Sequence, residues 1–214
     1  MRVTRAVALL PVLPADVPLL EDSLEHLIEA ADEASAAGVA TTLVLTTSAK
    51  PAATAPVLAS WGPLVDLLDG VDLEVEHHPP TGGAEEPAAE VSRLLTRAAD
   101  GLRRRLHDAP GTVVLTSTPD VAVGPDWITE HVRHHRAGAT ASTGPVRRSG
   151  GPAADGDQRH DTVANLAVRA DLLPGGLLAA LAAAGPATAT GRLALVHALT
   201  PVVASPAVTI PTCP

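Results

Sequence analysis

Phenylalanine and tyrosine do not occur in this 214-residue chain, tryptophan occurs only at Trp61 and Trp127, and cysteine and methionine occur once each. Without large aromatics, core volume has to come from Leu, Val and Ala, so close packing rests on many small contacts. The lone Cys213 excludes an intramolecular disulfide and a thiolate zinc site. Cations are scarce: 15 Lys and Arg against 24 Asp and Glu give a formal charge of −9. That balance argues against a nucleic-acid backbone as partner, since such binding leans on clustered cations. The basic cluster Arg103-Arg104-Arg105 falls in the last turn of a predicted helix, where it complements the helix dipole. No apolar run reaches the roughly 20 residues of a membrane span. The opening AVALLPVLP has the look of a signal segment, but two prolines interrupt it and Asp16 closes it. The chain is expected to be soluble and cytoplasmic.

Several motifs are missing too. No G-x-G-x-x-G follows the first strand and no G-x-x-x-x-G-K-S/T occurs, which removes the dinucleotide fingerprint and the P-loop. There is no G-x-S-x-G elbow.

What is present is an alternation. Apolar residues make up 46% of the chain, enough for a core. Strands are predicted at 5–10, 41–45, 71–75 and 113–115, with helices between them. The helix near 17–37 carries Val17, Leu20, Leu24, Leu27, Ile28 and Ala31 at helical spacing, with Asp16 as its N-cap and Gly38 at its end. A second helix is expected near 57–68, interrupted at Gly62-Pro63, and a third carries Val91, Leu94, Leu95, Ala98 and Leu102 on one face. Strand–helix alternation of this kind predicts one α/β domain over 1–214 with a mainly parallel sheet. Beyond it, strands are expected near 139–146 and 162–168, a mobile Gly/Pro/Asp-rich loop at 147–159, helices at 177–184 and 191–199, and an extended end at 202–210.

The centre of the chain is 111–137, GTVVLTSTPDVAVGPDWITEHVRHHRA. Val113-Val114-Leu115 reads as a buried strand, and Gly124-Pro125-Asp126-Trp127 as a helix start. Asp120 therefore lies beyond the carboxyl end of a core strand, the edge where open α/β sheets bind ligands. Asp120 reads equally as a metal or diphosphate contact and as an acid in a turn. His131, His134 and His135 stand at i, i+3 and i+4, spacing that suits a metal. They share the helix with Glu130, Arg133 and Arg136, which favours a solvated surface. Gly82-Gly83 suits either a phosphate or a loop, and His160-Asp161 an oriented imidazole.

Four segments, read together, resemble the family-two glycosyltransferases of the GT-A fold. PVLPAD with its helix is similar to that family's opening strand, and VVLTSTPDVAVGPDWITEHVRHHRAG to its strand, D-x-D and P-D-W-L helix. HDTVANLAVRADLL is similar to its H-G-x-N-L-A-V-R-A-D segment, and GRLALVHALTPVVASPAVTIP to its closing helix and strand. The resemblance implies a GT-A-like Rossmann-type sandwich, mainly parallel sheet flanked by helices. It implies a UDP- or GDP-type sugar donor, held by Pro11, Leu13, Thr46, Thr47, Asp120, Asn165 and Arg169. His160 and Trp127 would lie on the acceptor side, and Asp120 would hold Mg²⁺ or Mn²⁺. The pattern is degenerate here: D-x-D is reduced to Pro119-Asp120, Gly191-Arg192 replaces the Glu-Asp pair, and Thr46-Thr47 stand where an aspartate commonly does. A glycosyltransferase is expected, with an inactive GT-A-like binding module as the alternative.

Overall fold

The computed structural model describes residues 2–80, 87–106, 111–139, 141–143 and 165–172. Strand β1 (Arg5–Val12) leads through a 3-10 turn (Pro14–Leu19) into helix α1 (Leu20–Ala36). Then come β2 (Ala40–Thr47), α2 (Pro51–Val65), β3 (Val71–His77), α3 (Pro87–Leu106) and β4 (Thr112–Thr116). Helix α4 (Trp127–Arg136), β5 (Ala141–Thr143), β6 (Leu166–Arg169) and a short 3-10 turn (Ala170–Leu172) complete the described elements.

The six described strands form one sheet in the order β3-β2-β1-β4-β6-β5. β1 is parallel to β2 and β4, and β2 to β3, whereas β6 runs antiparallel to β4 and β5 antiparallel to β6. Along β1 the pleat separates two cores. Ala8, Leu10 and Val12 pack with α1 and α4, while Val7 and Leu9 face Leu95, Ala98 and Leu102 of α3. Both faces of the sheet are therefore covered, as a mainly parallel sheet requires. This is the expected GT-A-like α/β sandwich.

The order also defines where the chain changes direction. From β1 it builds outward through β2 and β3, then returns by α3 across the other face to β4 on the far side of β1. The gap between the carboxyl ends of β1 and β4 is thus the topological switch point, where open α/β sheets bind their ligands. Among the described residues no helix is long and apolar enough to cross a membrane.

Four expectations need correcting. β2 runs on through Thr46 and Thr47 rather than stopping at Leu45. Asp16 is not a helix N-cap; it is the third residue of the 3-10 turn, and its Oδ2 accepts the Leu13 N–H at 3.0 Å. Helix α2 starts at Pro51 and passes unbroken through Gly62-Pro63, with Pro56 and Pro63 both inside it. Each proline removes a helical N–H, but both rings lie on the exposed side, clear of the core. Arg105 reaches across to Glu74 and Glu76 of β3 rather than serving only the end of its own helix.

Gly111 shows how tightly β4 enters the sheet. It has φ of +89°, its carbonyl accepts Thr4 N–H at 3.1 Å, and an added Cβ would lie 2.5 Å from the Arg2 carbonyl oxygen. Gly138, after α4, has φ of +104° but open space around the missing Cβ. Gly111→Ala is expected to cost more than Gly138→Ala, which carries only the backbone strain of about 1–3 kcal/mol. Urea unfolding of the two variants checks the order.

Candidate functional site

At the switch point β1 outlasts β4. The last rung between them pairs Leu9 with Thr116, and Ser117 N–H donates to the Leu9 carbonyl at 3.1 Å. In a parallel strand alternate residues address opposite neighbours, so Pro11 turns its missing N–H toward the side that β4 has left. Leu13 addresses the same side, and its N–H is taken by the Asp16 carboxylate. Asp120 approaches from the loop after β4, and Thr118 Oγ1 donates to its Oδ1 at 2.7 Å. Both acids are half-buried. The Asp16 pKa is raised, first by burial and then by the nearby Asp120 carboxylate, against the lowering effect of the Leu13 N–H. Two carboxylates, one from beyond each strand end, therefore lie near enough at the crevice to interact electrostatically.

The hydroxyls at this end of the sheet divide into two kinds. Thr47 Oγ1 donates to the Val12 carbonyl at 2.8 Å and accepts the Ala49 N–H at 3.0 Å, tying the ends of β1 and β2 together. Thr46, on the other face of the strand, is fully buried and its Oγ1 has no partner. Ser48 and Ser117 Oγ are also buried and unpartnered. Unpaired buried hydroxyls cost free energy, and three at one sheet end call for an explanation.

Behind Asp120 lies a polar network on α4. Trp127 Nε1 donates to Asn165 Oδ1 at 2.9 Å, and His131 Nε2 lies 2.9 Å from the same oxygen. An indole nitrogen only donates, so the atom facing it is the amide oxygen, and His131 must carry its proton on Nε2. Its bare Nδ1 then accepts from Ser142 Oγ at 2.6 Å, and Ser142 Oγ accepts from His135 Nε2 at 3.2 Å. Trp127 and His131 also meet edge to face, with ring centroids 5.7 Å apart. Asn165 has φ of +54°, a left-handed conformation that asparagine tolerates better than most residues. The expected solvated histidine surface is corrected: His131 and His135 are buried, and only His134 is near solvent. They were misread because Glu130 and Arg133 occupy the opposite face and pair with each other.

The structure distributes the sequence-derived candidates unevenly. Pro11, Leu13, Thr46, Thr47 and Asp120 share the carboxyl edge of the sheet. Asn165 lies just before β6, close behind that edge, but its side-chain oxygen is engaged by Trp127 and His131. Trp127 is 1% exposed, so its indole serves the core. Arg169 is not brought to the edge: antiparallel pairing sets it opposite Val113, near the start of β4, where it binds Asp171 at 3.0 Å. His160 and Gly191-Arg192 lie outside the described residues, as does the Gly82-Gly83 pair. The residue that sequence reasoning missed is Asp16. Its signal was available in the PVLPAD segment, which ends a strand and sets an acid a few residues beyond its edge.

Burial holds the pKa of His131 down at about 3 and that of His135 at about 4. Both are neutral in the fold, whereas unfolded histidine titrates near 6.5. Between these values the unfolded chain binds protons that the folded chain refuses, so stability falls as pH falls below about 6.5. Near pH 5 each of the two residues contributes close to one proton of difference to that slope. His131→Gln and His135→Gln should each remove about half of that slope, read from urea midpoints between about pH 5 and 7.

No protein-family model matches the chain, and no curated protein matches it. Solved structures do. One is a 4-diphosphocytidyl-2C-methyl-D-erythritol synthase, 14% identical over 92% of this chain and 84% of that one, with a TM-score of 0.49. Another is glucosyl-3-phosphoglycerate synthase from Mycobacterium tuberculosis in complex with phosphoglyceric acid, 17% identical over 91% and 67%, also at 0.49. A third is the 4-diphosphocytidyl-2C-methyl-D-erythritol synthase from Anaerococcus prevotii DSM 20548, 11% identical over 90% and 81%, at 0.44. The fold assignment rests on the strand order and the two covered faces of the sheet, not on these similarities.

Proposed function

We propose that the chain binds a nucleotide-sugar donor of the UDP or GDP type at the β1/β4 crevice, as a GT-A-like glycosyltransferase would. The observation that carries this reading is that the strand order brings Asp16 and Asp120, one after β1 and one after β4, to the same switch point, where the Asp120 charge is felt by Asp16. A divalent cation held between them would favour the ionised form of both. The orphaned hydroxyls of Thr46, Ser48 and Ser117 supply further polar groups at the same sheet end.

The residues fit Mg²⁺ or Mn²⁺ in one way only. Among the described residues no group of three or more His, Cys, Asp or Glu could hold an ion unaided. Magnesium commonly takes one or two carboxylates together with substrate phosphates and water. Asp16 and Asp120 suit that shared mode, in which the metal neutralises the donor diphosphate. Thr118 orients Asp120, and the Leu13 N–H orients Asp16.

A second reading, donor binding without transfer, has its own support. At the end of β2, Thr47 is spent on a backbone staple where an acid commonly stands in the resembled family, and Gly191-Arg192 replaces the other acidic pair. Neither position offers a base for an acceptor hydroxyl.

Calorimetric titration with UDP, GDP and their sugar conjugates, with and without Mn²⁺, tests donor binding. Binding is expected only with the metal, and Asp120→Ala and Asp16→Asn should each weaken it by about tenfold or more. Metal-independent binding unaffected by either substitution would remove the crevice from consideration. The folded state raises the Asp16 pKa, so its ionised form opposes folding at neutral pH. Asp16→Asn keeps an acceptor for Leu13 N–H and should therefore raise the thermal midpoint at pH 7 while impairing binding. Acceptor-dependent release of UDP or GDP would distinguish transfer from binding alone.

A further inference from the structure

A second concave site lies at the edge of the sheet opposite the crevice. Arg5, Thr42 and Asp72 stand near the starts of β1, β2 and β3, and the register puts Val7, Thr42 and Asp72 on one rung across the three strands. Strand residues alternate between faces, so all four point to the α3 side, where Val7 packs with Leu102. Among the described residues the last turn of α3 leaves this corner open. A cavity of about 170 Å³ remains between the strands and Leu102, Arg105 and Leu106. Thr42 is half-buried there, although Val44, the next residue on the same face of β2, is 1% exposed. The length of β1, about 23 Å from Arg5 to Val12, separates the cavity from Asp16 and Asp120.

The charges that line the cavity are of two kinds. Arg105 is committed, its guanidinium donating to the carboxylates of Glu74 and Glu76, so that Glu74 stands in the cavity wall already paired. Arg5 and Asp72 line the same cavity, yet the side chain of neither forms an ion pair among the described residues. Beneath them the floor is aliphatic, made by Val7, Leu102 and Leu106. This combination selects among ligands by charge. A simple anion drawn to Arg5 is repelled by Asp72, and a simple cation drawn to Asp72 is repelled by Arg5. A molecule carrying both charges answers both groups, and an aliphatic body on the same molecule covers the floor.

We propose that this cavity binds a small aliphatic amino acid as its zwitterion, with the carboxylate on Arg5, the ammonium on Asp72 and the side chain on the aliphatic floor. Arginine suits the carboxylate, because its planar guanidinium can donate two parallel hydrogen bonds. The Thr42 hydroxyl lies in the same lining and can donate to the carboxylate or accept from the ammonium. Size agrees with this class. An apolar cavity of about 150 Å³ holds benzene, so a space of about 170 Å³ suits a side chain of valine or leucine size. It is too small for a nucleotide. Arg5 and Asp72 are exposed, so the charged head sits at the mouth, where the ligand enters. The site is separate from the β1/β4 crevice and does not depend on what binds there.

Amide NMR titration of the full chain with L-leucine, without nucleotide or metal, tests the proposal. Saturable shifts are expected at Thr42, Asp72 and Leu102, with a Kd of about 1 mM or below. Isocaproate lacks the ammonium of leucine and isoamylamine lacks its carboxylate, and each should bind about fivefold more weakly. Arg5→Gln should weaken leucine by about fivefold without weakening isoamylamine, and Asp72→Asn should weaken leucine similarly without weakening isocaproate. Both side chains are exposed, so the variants should fold, and unchanged amide shifts away from the cavity verify it. No saturable shift up to about 20 mM leucine overturns the proposal. So do shifts confined to the carboxyl edge around Thr47 and Asp120, an analogue that matches leucine, or a leucine Kd that ignores both substitutions.

Discussion

The hydrogen bond from Trp127 Nε1 to Asn165 Oδ1 sets the rest of the buried polar network on α4. An indole nitrogen cannot accept, so it settles which end of the asparagine amide faces α4. That choice propagates: the shared oxygen sets the His131 tautomer, His131 sets the direction of the Ser142 hydroxyl, and Ser142 receives His135. Four side chains from α4, β5 and the start of β6 are thereby committed to one proton arrangement. Thr143 Oγ1 adds a bond to the Asn165 carbonyl at 2.8 Å, holding β5 to the same residue. The network sits where the sheet changes from parallel to antiparallel, so it secures the strand whose direction no β–α–β crossover dictates.

The same contact bears on the crevice. The loop carrying Asp120 is anchored at one end by Ser117 N–H on Leu9 and at the other by Trp127. Within it, Val121 and Val123 are buried against the core and Val121 N–H donates to the Thr118 carbonyl at 3.0 Å. Asp120 is therefore held in place by its neighbours' packing. Stability invested in flanking residues thus fixes where the site acid stands.

Much of the sandwich was legible because its signals are local. Short β-branched runs such as Val113-Val114 read as strands, and α3 announced itself through Leu94, Leu95, Ala98 and Leu102, all buried. The two acids were harder to pair, because Asp16 and Asp120 are far apart in sequence and only strand order makes them neighbours. Polarity misled in two places. His131 and His135 share their buried stripe with Trp127, Ile128 and Val132, so the helical period was present but masked by the residue type. In α2, Gly62 and Pro63 read as a break, yet the helix passes through them with both internal prolines on its exposed side. Arg169 matched a familiar segment, but antiparallel pairing carried it to the wrong edge of the sheet.

The scarcity of aromatics and the buried polar network are two sides of one constraint. A core of Leu, Val and Ala fills space well, but small aliphatic side chains interdigitate in several arrangements of similar energy. Directional hydrogen bonds discriminate among such arrangements, because a wrong packing leaves buried donors and acceptors unpaired. In this chain the directional contacts are concentrated on α4, around the one tryptophan that is fully buried. Trp127 thus provides both the largest volume in the core and the donor that orients its neighbours. With no Phe or Tyr elsewhere to supply shape, uniqueness of the fold on that side of the sheet rests on the chain's single asparagine.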